Sequence, residues 1–245
     1  MWNLSPIRST LRGALGCALL ATSCAHFGPP ADDGHGTGGE GGGTQLTGCA
    51  QAALIEDVED RDDRILVRDG RGGYLYTYID EDGSTISPGP DSFAVAPGGA
   101  GGGHALHMQG KLADTADAFA GLGYSFTEPL GPYDASKYTG VAFVAKHGPG
   151  SSTAIRLKIP DIATAPEGGV CKECYNDFGI DFQVTDEWTR YEVSFADLKQ
   201  GTGWGDPRPD AVDAAKLFGM QWQVTTRGQA YDIWIDDVTF VGCPD

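Results

Sequence analysis

A succession of short alternating runs, each closed by glycine, proline or aspartate, restricts this chain more than any other feature. The runs are Tyr74 to Ile79, Ala105 to Gln109, Leu122 to Phe126, Gly140 to Ala145, Ala154 to Ile159, Phe178 to Val184, Tyr191 to Phe195, Gly219 to Thr225 and Tyr231 to Phe240. Alternation with period two is the pattern of a half-buried strand, and runs this short do not make stable helices. Asp-Gly, Pro-Gly, Gly-Pro and Gly-Gly pairs between them supply tight turns. The expected fold is all-β, a two-sheet antiparallel sandwich of the jelly-roll kind. Only Asp210 to Leu217 reads as helical, for one or two turns.

Alternation also assigns faces. Ile155, Leu157 and Ile159 point inward, leaving Arg156 and Lys158 on the opposite side. By the same rule Phe178, Ile180, Phe182 and Val184 leave Asp181 and Gln183 outward, and Met220, Trp222 and Val224 leave Gln221 and Gln223 outward. Leu106 and Met108 send His107 and Gln109 out. If these strands share a sheet, its outer face carries planar hydrogen-bonding groups. Trp188, Trp222 and Trp234 fall within strand alternations and are expected in the core, whereas Trp204, between glycines, has nothing local to pack on.

The amino-terminal part reads differently. Arg8 and Arg12 precede a short apolar run from Leu11 to Ala21, then Thr22, Ser23 and Cys24. This is the layout of a secretory signal over residues 1–23, with an apolar run too short to span a bilayer. A cysteine after small residues resembles the lipobox of bacterial lipoproteins, which makes Cys24 the expected lipidation site. Residues 24–48, rich in glycine with Gly-Pro-Pro and Asp-Asp-Gly, read as a flexible tether. The expected location is the bacterial cell envelope, outer membrane or cell surface, with membrane contact only through the lipid. Residues 49–245 are then one domain, long enough to bury about 70% of its unfolded surface.

The formal charge is −17, and loss of Arg8 and Arg12 with the signal would take it to −19. Such a surface disfavours nucleic acid and anionic lipid as partners. Four cysteines in the domain, Cys49, Cys171, Cys174 and Cys243, allow three connectivities. Their positions favour a staple between Cys49 and Cys243 at the two ends, with a local bridge between Cys171 and Cys174. A zinc site at Cys171-Lys-Glu-Cys174 would need two further ligands at suitable spacing, and a thioredoxin-like centre would need a βαβ setting; neither pattern is present.

A longer pattern joins these pieces. Asp134-Ala-Ser-Lys-Tyr-Thr-Gly-Val-Ala-Phe143, Cys171-Lys-Glu-Cys-Tyr-Asn-Asp-Phe178 and Trp188-Thr-Arg-Tyr-Glu-Val-Ser-Phe195 are followed by Gln200-Gly-Thr-Gly-Trp-Gly205, Gln221-Trp-Gln223 and Trp234-Ile-Asp-Asp-Val-Thr-Phe240. In order and spacing this resembles the galactose-binding-like jelly rolls, and within them the family 11 carbohydrate-binding modules and related bacterial lipoproteins. The resemblance implies a structural calcium between first and last strands, here at Glu59 and Asp236 with Asp57 and Asp237 as substitutes. It also implies a sugar platform on a concave sheet face, with Tyr74, Tyr76 and Tyr78 as rings and Arg156, Asp181, Gln183, Gln221 and Gln223 as polar groups. Tyr175 and Trp204 would rim the groove. Aromatic rings stack on the apolar faces of pyranoses, and planar polar groups pair with their hydroxyls.

Signals of catalysis are sparse. His104 and His107, the close histidine pair, lie three apart and would point to opposite faces of a strand. There is no Gly-x-Ser-x-Gly elbow, P-loop or dinucleotide glycine pattern. Paired carboxylates for glycoside hydrolysis stay open, because acidic residues are abundant. The expected function is non-catalytic: a surface lipoprotein that binds a neutral polysaccharide. The alternative is a structural or assembly lipoprotein whose jelly roll meets an envelope protein and no sugar. A groove filled by loops such as Thr85 to Gly103 would favour the alternative.

Overall fold

The computed structural model describes residues 48–90 and 92–243. They belong to one compact unit. The expected signal, Cys24 and the tether lie outside the described residues.

A short helix α1 (Gly48–Ala53) leads into twelve strands. These are β1 (Leu54–Glu56), β2 (Leu75–Ile79), β3 (Thr85–Ser87), β4 (Ala96–Pro97), β5 (His104–Lys111), β6 (Ala120–Ser125), β7 (Gly140–His147), β8 (Ala154–Ile159), β9 (Phe178–Gln183), β10 (Thr189–Ser194), β11 (Gly219–Val224) and β12 (Ala230–Val241). Every expected run is a strand to within a few residues at its ends. The helix α1 and the short strands β1, β3 and β4 add to them; two to six residues carry too little periodicity to be read from sequence.

The strands form two antiparallel sheets. One runs β10-β7-β12-β5-β3, with β1 and β4 joined to it; the other runs β2-β6-β11-β8-β9. β12 is twelve residues long, so its first half pairs with β5 and its second half with β1. The inward residues of both sheets interdigitate in one core. Leu106, Met108, Phe143, Ile155, Leu157, Met220, Trp222, Ile233 and Ile235 are fully buried there. Burying side chains of this size contributes about 1.5–3 kcal/mol each before conformational entropy is counted.

Two bridges hold the unit, Cys49–Cys243 with Cα atoms 5.8 Å apart and Cys171–Cys174 at 5.2 Å. The connectivity is the one favoured by position.

Three expectations are corrected. Residues 210–217 form no helix: beyond one turn from Lys216 N–H to the Asp213 carbonyl, the Ala214 and Lys216 carbonyls accept from Ala135 N–H and Ile162 N–H of neighbouring segments. Asp161 holds the same stretch, accepting from Asp213 N–H at 2.9 Å. His107 and Gln109 lie on β5, in the seven-stranded sheet, and so do not share a face with Arg156 or Gln221. Trp188 and Trp234 are only half-buried. They flank the Lys146 ammonium, 4.8 and 5.2 Å from their rings, on the outer side of that sheet, where Trp234 also stacks on His107 at 3.8 Å. Trp222 alone of the three is core.

Candidate functional site

The outer face of the five-stranded sheet is built by the strand alternation. On β2, Leu75 and Thr77 turn into the core and Tyr76 and Tyr78 turn out. β11 presents Gln221 and Gln223, and β8 presents Arg156 and Lys158. β6, between β2 and β11, presents Gly121 and Gly123, and β9 presents Gly179. These bare positions let neighbouring side chains lie flat across the sheet. A Cβ at Gly121 would sit 2.5 Å from the Tyr78 ring, one at Gly123 would sit 2.9 Å from Gln221 Cγ, and one at Gly179 would sit 3.0 Å from Arg156 Nε. The result is a smooth floor, on which Gln221 Nε2 donates to Tyr76 Oη at 3.0 Å.

Two walls rise at opposite ends of the strands. At the start of β6 and the end of β11 stand Ala116–Phe119 and Arg227, with Phe119 40% exposed and its ring 6.2 Å from Tyr78. At the start of β9 stand Tyr175, Asn176 and Asp177, backed by Gly201 and Trp204. Floor and walls enclose a groove of about 860 Å³, the size of ligand clefts. None of the described residues between 85 and 103 lines it, so the described part of the loop that would favour a filled groove is elsewhere.

The second wall is firmly held. Asn176 donates to the carbonyls of Gly201 (3.0 Å) and Trp204 (2.6 Å) and accepts from Gly201 N–H at 2.8 Å. Trp204 is thereby fixed while its side chain stays 47% exposed, and Tyr175 is 65% exposed. Tyr175 has φ of 73°, a left-handed conformation that disfavours any residue with a Cβ. It is imposed by the adjacent Cys171–Cys174 bridge and by the Tyr175 N–H to Thr164 carbonyl bond at 2.9 Å. An exposed ring kept in a strained backbone is the kind of feature that clusters at binding sites.

Below this wall Asp177 is only 3% exposed. Its Oδ2 pairs with Lys158 Nζ at 3.0 Å, while its Oδ1 has no hydrogen-bond partner. The Tyr78 hydroxyl is likewise buried and unpartnered. Burial, with the Asp177 charge and against the lowering effect of the Gln221 hydrogen bond, pushes the Tyr76 phenol up to about 12, and burial raises that of Tyr78 well above its ordinary value.

Of the expected sugar-contacting residues, Tyr76, Tyr78, Arg156, Tyr175, Trp204, Gln221 and Gln223 come together in the groove. Tyr74, Asp181 and Gln183 do not line it. Tyr74 precedes β2 and its ring sits under the Arg64 guanidinium at 4.7 Å. Asp181 faces solvent and holds Arg156 at 3.2 Å, and Gln183 accepts from Thr153 at 2.5 Å near the far end of β9. Lys158, Asn176, Asp177, Phe119 and Arg227 belong to the groove and were not expected there. The outward direction of Lys158 is legible in the alternation of β8, but Asn176 and Asp177 enter from a loop with no periodicity.

The expected calcium residues lie near one another but do not form a ligand shell. Asp236 Oδ2 accepts from Ala100 N–H at 2.7 Å and Glu59 Oε1 from His104 N–H at 3.0 Å. Burial, with the charges of Asp237 and Glu59, pushes the Asp236 carboxyl up to about 6. Burial and the charges of Asp57 and Glu59 raise that of Asp237. Among the described residues no three His, Cys, Asp or Glu side chains converge as a metal-holding group. Crowded, mutually repelling carboxylates are nonetheless the donor chemistry a hard cation takes.

No family model matches the chain, and no curated protein does. Solved structures match in fold. A family 11 carbohydrate-binding module from Clostridium thermocellum, solved with a β-1,3-1,4-mixed-linked tetrasaccharide, superposes with a TM-score of 0.52 at 17% identity, covering 70% of this chain and 90% of that one. The family 11 module of a cellulosomal cellulase of Clostridium thermocellum gives 0.51 at 16% identity, covering 69% and 87%. A family 30 module of another Clostridium thermocellum cellulosomal cellulase gives 0.51 at 12% identity, covering 79% and 98%. At these identities the likeness is one of fold, and this chain has the β-sandwich jelly roll shared by family 11 and family 30 carbohydrate-binding modules.

Proposed function

We propose that this domain is a non-catalytic binder of a neutral polysaccharide, which it takes in the groove on the five-stranded sheet. One observation carries the reading: exposed rings (Tyr175, Trp204, Phe119) wall a floor of planar polar groups (Gln221, Gln223, Arg156) and half-buried tyrosines. A pyranose chain needs that combination of stacking surface and bidentate hydrogen bonding. The shared fold with modules of carbohydrate-binding families supports it, as does a groove that none of the described residues between 85 and 103 lines. Anchoring through a lipid at Cys24 and a glycine-rich tether would hold the domain a short distance from an envelope surface. A structural calcium at Asp57, Glu59, Asp236 and Asp237 belongs to the same reading.

The test is a glycan array followed by titration calorimetry on the purified chain, using mixed-linkage β-1,3-1,4-glucan and other neutral and acidic polysaccharides. Trp204→Ala and Gln221→Ala are expected to weaken binding roughly tenfold each. Silence of the folded protein across the array would overturn the proposal and direct attention to an envelope protein partner.

A further inference from the structure

The two sheets end differently. At the β9 edge of the five-stranded sheet, Lys199 and Gly179 exchange both backbone hydrogen bonds, each at 3.0 Å. β10, at the edge of the seven-stranded sheet, has no such cover: among the described residues it is paired with β7 alone. The Phe195 N–H donates to the Thr139 carbonyl just beyond that pairing, so alternation turns the N–H and C=O groups of Arg190 and Glu192 away from β7. No backbone group of another described segment reaches them. Exposed strand edges are usually blunted by proline, a bulge or charges. β10 reads Thr-Arg-Tyr-Glu-Val-Ser, without proline, and keeps an unbroken register with β7 along its whole length. Its charges are of opposite sign: Arg190 and Glu192 pair with each other at 2.5 Å, their side chains 53% and 55% exposed.

We propose that β10 is the surface on which a second copy of this chain docks, antiparallel and strand against strand. A two-fold pairing about Tyr191 sets Arg190 opposite the partner's Glu192, and Glu192 opposite the partner's Arg190. The outward backbone groups of the same residues meet in that register, each facing pair exchanging both hydrogen bonds. Pairing about Arg190 or about Glu192 instead would set like charges directly opposite, which destabilises neighbouring strands. The charges therefore select one register rather than block the edge. Such self-complementarity is what an interface between identical copies requires. The two-fold axis stands perpendicular to the sheet, so the seven-stranded sheets of the two copies join edge to edge. Both five-stranded sheets, with their grooves, then face the same way. Two grooves on one side can engage one long polymer together; that consequence rests on the glycan reading, whereas the pairing does not.

Sedimentation velocity of the purified chain, from about 1 µM to about 1 mM, reads the pairing; a strand-edge interface is small, so the dimer is expected in the upper part of that range. Arg190→Glu and Glu192→Arg, both at exposed positions, each set like charges opposite and should weaken dimerisation roughly tenfold. Mixed in equal amounts, the two variants face each other with opposite charges at every pair and should dimerise as the wild type does. Loss in each variant with recovery in the mixture supports the inference. A wild-type chain that is monomeric throughout overturns it and leaves β10 to a strand of another protein. A dimer that survives both reversals, or a mixture that does not recover, overturns the assignment of the edge. A dimer with the expected charge dependence that is silent toward mixed-linkage β-1,3-1,4-glucan and the other neutral glycans supports the pairing and removes the glycan reading alone.

Discussion

Tyrosine chemistry separates this fold from a generic sandwich. Tyr76, Tyr78, Tyr124, Tyr133 and Tyr231 all have phenols raised above their ordinary value, each by burial first. Tyr124 lies in the core with its hydroxyl 2.9 Å from Met220 Sδ, and Tyr231 donates to the Thr85 carbonyl at 2.7 Å. A phenol that binds its proton more tightly when folded contributes stability that is fully present below its unfolded pKa of about 10. That contribution is lost as pH rises through the folded value, about 12 for Tyr76. The chain should therefore unfold cooperatively between about pH 10 and 12, with Tyr76 alone accounting for up to about 2–3 kcal/mol. Ultraviolet titration of phenolate against circular dichroism checks this. Ionisation of these tyrosines near pH 10 with the β signal intact would contradict it.

At the scale of elements, the strands were readable because alternation is dictated by one buried face, and Ile155, Leu157 and Ile159 obey it. The same rule gave the groove floor: Arg156, Gln221 and Gln223 point where parity requires. Parity could not say which strands share a sheet, so His107 and Gln109 were grouped with a face they do not join. It also could not place Tyr74, because β2 begins one residue later and Arg64 covers its ring. The walls were illegible for a different reason: Asp177 and Asn176 are positioned by hydrogen bonds to distant loops, which leave no period behind. One usable signal was passed over, the bare outer positions Gly121 and Gly123 on either side of a core leucine. Gly121→Ala should be destabilising by about 1–3 kcal/mol, because its Cβ would press on the Tyr78 ring and the Trp222 carbonyl. Denaturant unfolding measures that loss, and glycan binding should fall with it. A variant as stable as the wild type would show that the floor is looser than the geometry requires.

The whole molecule is closed where its ends meet. β1 pairs with the second half of β12, and Cys49 is bonded to Cys243 across 194 residues of sequence. In the chain-entropy account, closing so long a loop contributes about 4–5 kcal/mol. Against that closure works a local repulsion. Ile55 takes the core face of β1, and Glu56 beside it, where the pairing with β12 is irregular, is buried too, so that burial pushes its carboxyl up to about 8, while Asp57 and Glu59 crowd Asp236 and Asp237 of β12. The glycine-rich segment before β5 leaves space for them. A Cβ at Gly103 would collide with Glu59, and one at Gly99 would lie 2.7 Å from Asp236 Oδ2. Ala100 and His104 each donate one N–H, which offsets only part of the repulsion. A divalent cation shared by these carboxylates would offset the rest and lock first and last strands together. Calcium at a hundredfold excess over its Kd should then raise the melting midpoint by roughly 5–10 °C. Asp236→Asn should abolish most of that rise, because it removes one charged ligand and relieves part of the crowding that favours the cation. Melting curves that superpose in calcium and in chelator would mean that the backbone donors of the glycine-rich segment, with the disulfide, hold the ends together without a metal.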